Sequence, residues 1–79
     1  SGVGSETIKK YFSRGDNYYR RALEVMPNNE TVYYRYARFL DLCNEKSEKI
    51  HLQGLRINPF AVRNLNCYSA FLRKIGEIE

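Results

Sequence analysis

Apolar and aromatic residues recur at helical spacing along this chain of 79 residues. Tyr33, Tyr36, Ala37 and Leu40 follow one another at i, i+3, i+4 and i+7, which places them on one face of a helix. Polar turn residues and two prolines separate such stretches. The pattern predicts one all-α domain over residues 1–79, with helices near 14–26, 30–43, 45–57 and 60–75. Residues 1–12 are expected to form a flexible lead and the end of a truncated helix.

Prolines and a glycine mark where three of the helices are expected to end. Pro27 and Pro59 have no backbone N–H and restrict the residue before them, so the first and third helices should stop there. Gly76 is expected to end the last helix. The short loops between these helices predict that neighbouring helices run antiparallel.

Asparagines supply the expected helix starts. Asn28 or Asn29 can cap the helix that begins near Glu30, because its side-chain oxygen accepts from backbone amides of the first turn. Asn44 interrupts the helical pattern at the next turn and is a candidate N-cap for the third helix.

The chain resembles itself when it is shifted so that Pro27 falls on Pro59. Small residues then fall on small residues, and large apolar residues on large apolar residues. Such self-similarity is the signature of stacked helical repeats, whose matched residues pack one helix on the next. The matched positions expected to pack are Gly15 with Ser47, Tyr19 with His51, Ala22 with Gly54, Tyr33 with Leu65, Tyr36 with Tyr68, Ala37 with Ser69, and Leu40 with Leu72.

Several polar or unusual residues within the repeat have structural interpretations. His51 takes a packing position and is expected to be a satisfied, partly buried histidine rather than a catalytic one. Gly54 within a helix costs about 0.5–1 kcal/mol relative to alanine, which indicates either very tight packing or a weak helix. Asp16 and Glu48 also match under the same shift, and both are explained as acids in a first helical turn, where the helix dipole favours them.

The net charge favours anionic partners without requiring one. Thirteen Lys and Arg against nine Asp and Glu give +4, and the basic residues are spread along the chain. Acidic peptides and RNA are both compatible with this balance. A surface of solvated charges remains the simpler interpretation of most of these residues.

The inventory of reactive side chains argues against an enzyme and against a bound metal or cofactor. Cys43 and Cys67 are far apart in sequence, form no CxxC motif, and are expected to be reduced and packed. The single His51 does not complete a set of about four metal ligands. No stretch approaches the roughly 18 apolar residues of a membrane span, and no secretory signal begins the chain, so we expect an intracellular protein that is neither secreted nor membrane-bound.

These residues resemble tetratricopeptide repeats. That family's first-helix motif is matched by Tyr33-x2-Tyr36-Ala37-x2-Leu40 and Leu65-x2-Tyr68-Ser69-x2-Leu72, and its second helix by Gly15, Tyr19, Ala22 and Pro27 and by Ser47, His51, Gly54 and Pro59. The resemblance implies antiparallel helix pairs stacked as a short right-handed solenoid of about two repeats. The period, from Pro27 to Pro59, is slightly shorter than the family's usual length of about 34 residues.

The resemblance implies a scaffold that binds a peptide segment of a partner protein in a concave groove. The groove-facing candidates on the second and last helices are Tyr34, Arg35, Arg38, Arg63, Asn66 and Arg73. Arginine forks bind carboxylates through paired hydrogen bonds, so the expected peptide is acidic. Fewer than three repeats are marginally stable alone, so self-association is a further expectation.

A second resemblance leaves an alternative open. Tyr33-x2-Tyr36-Ala37 and Tyr19-Arg20-Arg21-Ala22-Leu23 are similar to half-a-tetratricopeptide repeats of RNA-processing proteins, although that family's characteristic Glu is missing at Leu40 and Arg20. This alternative implies a module of an RNA-processing complex. It would contact protein partners, or RNA through Arg14, Arg20, Arg21, Arg35 and Arg38.

Overall fold

The computed structural model contains four α-helices joined by short connections. They are α1 (Gly2–Val25), α2 (Glu30–Leu42), α3 (Glu48–Ile57) and α4 (Val62–Ile78). The structure describes the backbone of residues 2–78 and the side chains of residues 7–77. Over that range the secondary structure is helical without strands, which confirms the all-α class.

α2 lies at the centre of the packing. It packs against α1, α3 and α4, while α3 also packs against α4 and α1 packs on α2 alone among the described elements. The molecule measures 42 × 35 × 15 Å, so it is flat. Such a flat shape buries few side chains, and the apolar core consists of Tyr36, Ala37 and Leu40 on α2.

The first helix is longer than the sequence predicted. α1 begins at Gly2, so the backbone of residues 2–12 continues the helix instead of forming a lead and a separate truncated helix. The helical spacing of apolar residues continues back through Phe12 and Ile8. The ring of Phe12 stacks on Phe39 of α2 at a centroid distance of 5.8 Å, which ties this half of α1 to the domain. Residue 1 lies outside the described residues.

The remaining helices keep their predicted order with shifted ends. α1 and α3 both end two residues before a proline, at Val25 and Ile57, which agrees with the predicted stops at Pro27 and Pro59. α3 begins at Glu48 rather than residue 45, and α4 spans 62–78 rather than 60–75. Gly76 therefore lies inside α4, with a φ in the ordinary helical range, and does not end it.

Asn29 caps α2 as the sequence predicted. Its Oδ1 accepts from the backbone amides of Thr31 at 2.9 Å and Val32 at 3.3 Å. These amides belong to the first turn of α2, whose N–H groups have no carbonyl four residues earlier within the helix to donate to.

Asn44 has a different role from the predicted one. Its φ is 57°, its amide donates to the carbonyl of Asp41, and the amide of Glu45 donates to the carbonyl of Leu40 at 2.9 Å. This pair of bonds is a Schellman motif, which closes the C-terminal end of α2. Asn44 tolerates the left-handed conformation better than most residues, and the N-cap position of α3 is taken by Ser47.

The repeat seen in the sequence is also a repeat of ring contacts. Tyr19 of α1 stacks on Tyr36 of α2 at 5.2 Å and meets Phe39 at 5.4 Å. One repeat later, the ring of His51 on α3 meets two rings of α4, Tyr68 at 5.5 Å and Phe71 at 5.1 Å. One cluster of rings thus joins α1 to α2, and an equivalent cluster at the repeat-related positions joins α3 to α4.

A hydrogen bond repeats with the same period. The Tyr36 hydroxyl donates to Asp16 Oδ1, and the Tyr68 hydroxyl donates to Glu48 Oε2 at 3.0 Å. Asp16 and Glu48 therefore bridge neighbouring helices. Glu48 also lies in the first turn of α3, as predicted, whereas Asp16 lies in the middle of α1, so its predicted place in a first turn is wrong because α1 begins at Gly2. Arg20 also pairs with Asp16, at 2.7 Å.

The predicted packing residues divide into three groups. Those flanked by helices on both sides are buried, namely Tyr36, Ala37, Leu40, Ser47, His51 and Gly54. Residues at the borders of the packed faces are half-buried, namely Gly15, Tyr19, Ala22, Tyr33 and Tyr68. The third group is exposed and does not pack between helices of this chain, namely Pro27, Pro59, Leu65, Ser69 and Leu72.

The exposed group has a physical explanation. The prolines lie in the turns, where they stop helices without packing. Leu65, Ser69 and Leu72 lie on a side of α4 that no described helix covers. α4 packs instead through the other side, where buried Asn64 donates from Nδ2 to the carbonyl of Glu30 at 3.0 Å.

Gly54 sits where α3 approaches both of its neighbours. A Cβ at this position would lie 2.6 Å from Asn64 Nδ2 and 2.9 Å from the Cβ of Tyr33. The Tyr33 Cβ is fixed to the α2 backbone, so a larger residue would push α2 and α3 apart. Of the two interpretations that the sequence left open, the structure supports tight packing.

We predict that Gly54→Ala destabilises the fold. Alanine gains up to about 1 kcal/mol of helix propensity, but the overpacking costs about 1–3 kcal/mol, so the net change is a loss. Gly76→Ala is the matched control, because nothing lies within 4 Å of a Cβ there, and it should stabilise the chain slightly. Urea unfolding of both variants measures this, and equal stabilisation by the two would contradict the close approach.

We also predict that Tyr36 contributes a pH-dependent part of the stability. Burial and the nearby Asp16 carboxylate raise the pKa of Tyr36 to about 12. An unfolded tyrosine has a pKa of about 10, so above that pH the unfolded chain releases a proton that the folded chain keeps. This contribution is complete below about pH 10 and is lost as the pH rises through about 12.

Tyr36→Phe should therefore lower the free energy of unfolding by about 1–2 kcal/mol near neutral pH and reduce its fall at alkaline pH. Urea melts at about pH 7 and about pH 11 measure both effects. Tyr11→Phe, at an exposed tyrosine of α1, should leave both unchanged. Parallel alkaline losses in wild type and Tyr36→Phe would show that Tyr36 is not the source.

Candidate functional site

A surface depression of about 390 Å³ lies on α2 and is bordered by one residue of α1 and one of α4. Four of the six residues predicted to face a partner line it, namely Tyr34, Arg35, Arg38 and Arg63. The half-buried rings of Tyr19 and Phe39 and the exposed side chain of Leu42 complete its wall. The depression therefore combines an aromatic and apolar wall with three guanidinium groups.

Helix geometry explains why these side chains meet. Residues 34, 35, 38 and 42 lie on adjacent ridges of α2, on a side that its neighbours α1 and α4 leave open. Arg63 reaches the same place from the first turn of α4, because α4 packs beside α2. The Nη1 of Arg38 donates to the Tyr34 hydroxyl at 3.5 Å, a long contact that leaves most donors of the guanidinium free.

The three arginines have no acidic partner within the described part of the chain. The acids with basic partners there are Asp16, which forms an ion pair with Arg20, and Asp41, which is hydrogen-bonded to His51. Arg35, Arg38 and Arg63 are all exposed. Their positive charge is thus presented to solvent around one depression, which favours a negatively charged ligand.

Two predicted site residues lie elsewhere. Asn66 and Arg73 are exposed on α4 and do not line the depression. The sequence, in turn, assigned Tyr19 to packing only, whereas its ring both packs on Phe39 and faces the depression together with it. The helical wheel could not reveal this, because the open side of a packing ring depends on where the neighbouring helix stops.

The cysteines are poor nucleophiles. Burial raises the pKa of the Cys67 thiol, an effect that the nearby Arg38 guanidinium opposes and the Asp41 carboxylate reinforces. Burial likewise raises the pKa of the Cys43 thiol, as does Glu45. Both are free thiols, and at neutral pH both remain protonated.

A second cluster of polar side chains lies at the turn between α2 and α3. Asp41 accepts a hydrogen bond from the Ser47 hydroxyl with Oδ1 and lies 2.9 Å from His51 Nε2 through Oδ2. His51 and Ser47 are buried, at 3% and 1% exposure. The bond to His51 joins two helices, so local spacing could not predict it.

This cluster has the residue types of a hydrolase triad but not the arrangement. Nucleophile activation requires the histidine to accept from the serine while the acid orients the histidine. Here the carboxylate stands between the other two groups, and Ser47 is closed to substrate. The geometry therefore fixes the α2–α3 turn and does not set up nucleophilic chemistry.

Among the described residues, no three His, Cys, Asp or Glu side chains come together in a way that could hold a metal ion. Over the same part of the chain, no helix has the length and apolar character needed to cross a membrane.

Comparison with known proteins finds no matching family model, no matching curated sequence and no matching solved structure.

We predict that Asp41→Ala destabilises the fold by about 2–3 kcal/mol, because it leaves a buried hydroxyl and a buried imidazole without their acceptor. Glu45→Ala removes an exposed acid from the same turn and should cost less than about 0.5 kcal/mol. Chemical unfolding of both variants near neutral pH provides the comparison. Equal stabilities would mean that the cluster does not hold α2 to α3.

Proposed function

We propose that this chain is a tetratricopeptide-like interaction module that binds an acidic peptide segment of a partner protein. The observation that carries the proposal is the depression on α2, where Arg35, Arg38 and Arg63 surround an aromatic wall without an acidic partner in the described chain. The recurrence of ring contacts and tyrosine–acid hydrogen bonds from one repeat to the next supports the choice of a helical-repeat scaffold.

The arginines would provide the recognition. A guanidinium presents a planar fork of donors that pairs with a carboxylate through two parallel hydrogen bonds. Arg35 and Arg38 lie one helical turn apart, while Arg63 stands across the depression on α4, so two acidic side chains of one extended peptide can be engaged from both sides. Leu42 and Phe39 offer apolar surface for a side chain between them.

The scaffold would provide rigidity. α2 packs against all three other helices, so the stretch of backbone that carries Tyr34, Arg35 and Arg38 is held in place before the peptide arrives. A preorganised site loses less conformational entropy on binding than a flexible one. The depression is open to solvent and has no enclosed chamber, which suits a passing segment of polypeptide better than a small metabolite.

We propose no enzymatic role and no cofactor for the chain. The buried Asp41, Ser47 and His51 cluster lacks the order that catalysis needs, and the described thiols have a raised pKa. A scaffold requires neither feature.

RNA binding is the alternative that the test must separate. It would use Arg14, Arg20 and Arg21 of α1 together with Arg35 and Arg38. Arg20 is already paired with Asp16, and the ring of Tyr19 is stacked on Tyr36, which leaves less of it open to a base. These contacts favour the peptide.

We predict that replacing all three arginines of the depression, Arg35, Arg38 and Arg63, by alanine weakens binding of an acidic peptide at least about tenfold. The probe is a short fluorescein-labelled peptide of alternating glutamate and leucine, followed by fluorescence anisotropy. The matched control replaces Lys10, Arg14 and Arg21, which removes the same charge from exposed positions of α1 and should change the affinity little.

A labelled oligouridylate titrated in parallel distinguishes the alternative. RNA bound through dispersed charge would show three results together. The chain would bind the RNA more tightly than the peptide, added salt would lower the RNA affinity steeply, and both triple variants would lower it equally. Equal weakening of the peptide by both variants would contradict the assignment of the depression.

A further inference from the structure

Two helix faces of this chain are apolar and uncovered among the described elements. The α4 open face consists of Leu65, Ser69 and Leu72, and its two leucines are 43% and 46% exposed. The α1 open face consists of Tyr18, Ala22 and Val25, and its tyrosine and valine are 68% and 79% exposed. Each face lies at a different end of the stack of helices, because α1 contacts only α2 and α4 contacts only α2 and α3.

The repeat in the sequence shows what each face is built to contact. When the sequence is shifted back by one repeat, so that Pro59 falls on Pro27, the three residues of the α4 open face fall on Tyr33, Ala37 and Leu40 of α2. When it is shifted forward by one repeat, the three residues of the α1 open face fall on Ile50, Gly54 and Ile57 of α3. In the structure α2 and α3 pack against each other. Leu40 is only 5% exposed there, and the two isoleucines of α3 are half-buried. The two open faces are therefore the separated halves of a second copy of the α2–α3 interface.

We propose that the α4 open face of one copy of this chain packs against the α1 open face of a second copy, in the geometry that joins α2 to α3. A second copy is chosen as the occupant because it supplies both halves of the interface and continues the existing stack without a break. The inference does not rest on the peptide site, because none of the six residues of the two open faces lines the depression, and Tyr19, which does line it, enters the proposed contact only through its pair with Arg73.

The residue pairs that the repeat transfers to this interface are compatible. Within the chain, α2 meets α3 through Tyr33 with Gly54, Glu30 with Asn58, and Asp41 with His51. Shifted by one repeat, these pairs become Leu65 with Ala22, Val62 with Met26, and Arg73 with Tyr19. The first is a large residue against a small one, the second is apolar on both sides, and the third sets a guanidinium beside an aromatic ring, which is an attractive pair.

The symmetry of this contact has consequences. Different faces of the two copies meet, so the interface is heterologous and leaves one open face at each end of the dimer. Further copies can then add in the same way. Both partners carry the net charge of +4, so added salt reduces their repulsion and should strengthen association, whereas it weakens binding of an acidic peptide.

The test is sedimentation equilibrium of the full chain from about 10 µM to about 1 mM, the range in which modest interfaces are populated. Wild type should gain mass with concentration. Leu65→Lys and Tyr18→Lys should each stay monomeric, because each blocks one open face. An equimolar mixture of the two should form a dimer that grows no further, since each supplies the face that the other lacks. Leu52→Lys, at an equally exposed position on the outer side of α3, should behave as wild type.

Three results would overturn the proposal: a monomeric wild type over the whole range, association that survives Leu65→Lys, or a mixture that stays monomeric. Circular dichroism establishes that each variant is folded. If either lysine variant is not, Leu72→Lys and Val25→Lys block the same two faces and carry the same expectation.

Discussion

The packing of α2 against all three other helices is the constraint on which this small fold depends. A molecule 15 Å thick has room for one layer of buried side chains, and among residues 7–77 the buried apolar ones are Tyr36, Ala37 and Leu40 of α2. A chain of this size gains little stability from burial, so each contact of α2 carries a large share. The polar contacts that pin α2 to α1 and α3, from Tyr36 to Asp16 and from Asp41 to His51, therefore lie at the most sensitive places.

The central position of α2 also explains why α1 and α4, the two outer helices, each have an uncovered apolar face. α2 has a covered face toward α3, and its repeat equivalent on α4 is open. In the same way, the covered side of α3 is open on α1. Because of the repeat, α1 carries the same kind of packing residues as α3, and α4 the same kind as α2. Among the described helices, however, only α2 and α3 have a partner helix packed against these residues. The exposure of the leucines on α4 and of the tyrosine and valine on α1 follows from the absence of that partner helix.

Sequence patterns predicted the helical class, the repeat and the turns, because these are local. Spacing along the chain gave the buried face of α2, and Pro27, Asn29 and Pro59 placed helix boundaries through their own backbone chemistry. The predicted start of α1 was wrong, because the helix continues through residues that carry no strong stop signal. This part of the helix is held in place by the contact of Phe12 with Phe39. Asn44 was misassigned because a capping residue in a short turn can serve either helix, and only its positive φ decides.

The candidate site was predictable to the extent that it lies on one helix. Tyr34, Arg35 and Arg38 share a side of α2 by spacing alone, whereas Arg63 was expected beside them only through the resemblance to a repeat family. The roles of Tyr19 and Phe39 depend on how far α1 covers α2, which is a tertiary property. The bond from Asp41 to His51 likewise spans two helices.

An NMR titration with an acidic peptide tests the proposed binding surface most directly. Backbone amide and arginine Nε–H signals report each residue separately, so the position of the bound peptide can be read without any substitution. We predict that the largest shifts fall on Tyr34, Arg35, Arg38 and Arg63. Shifts spread along the arginines of α1, or confined to Leu65 and Leu72 of α4, would place the peptide elsewhere and contradict a peptide-binding depression on α2.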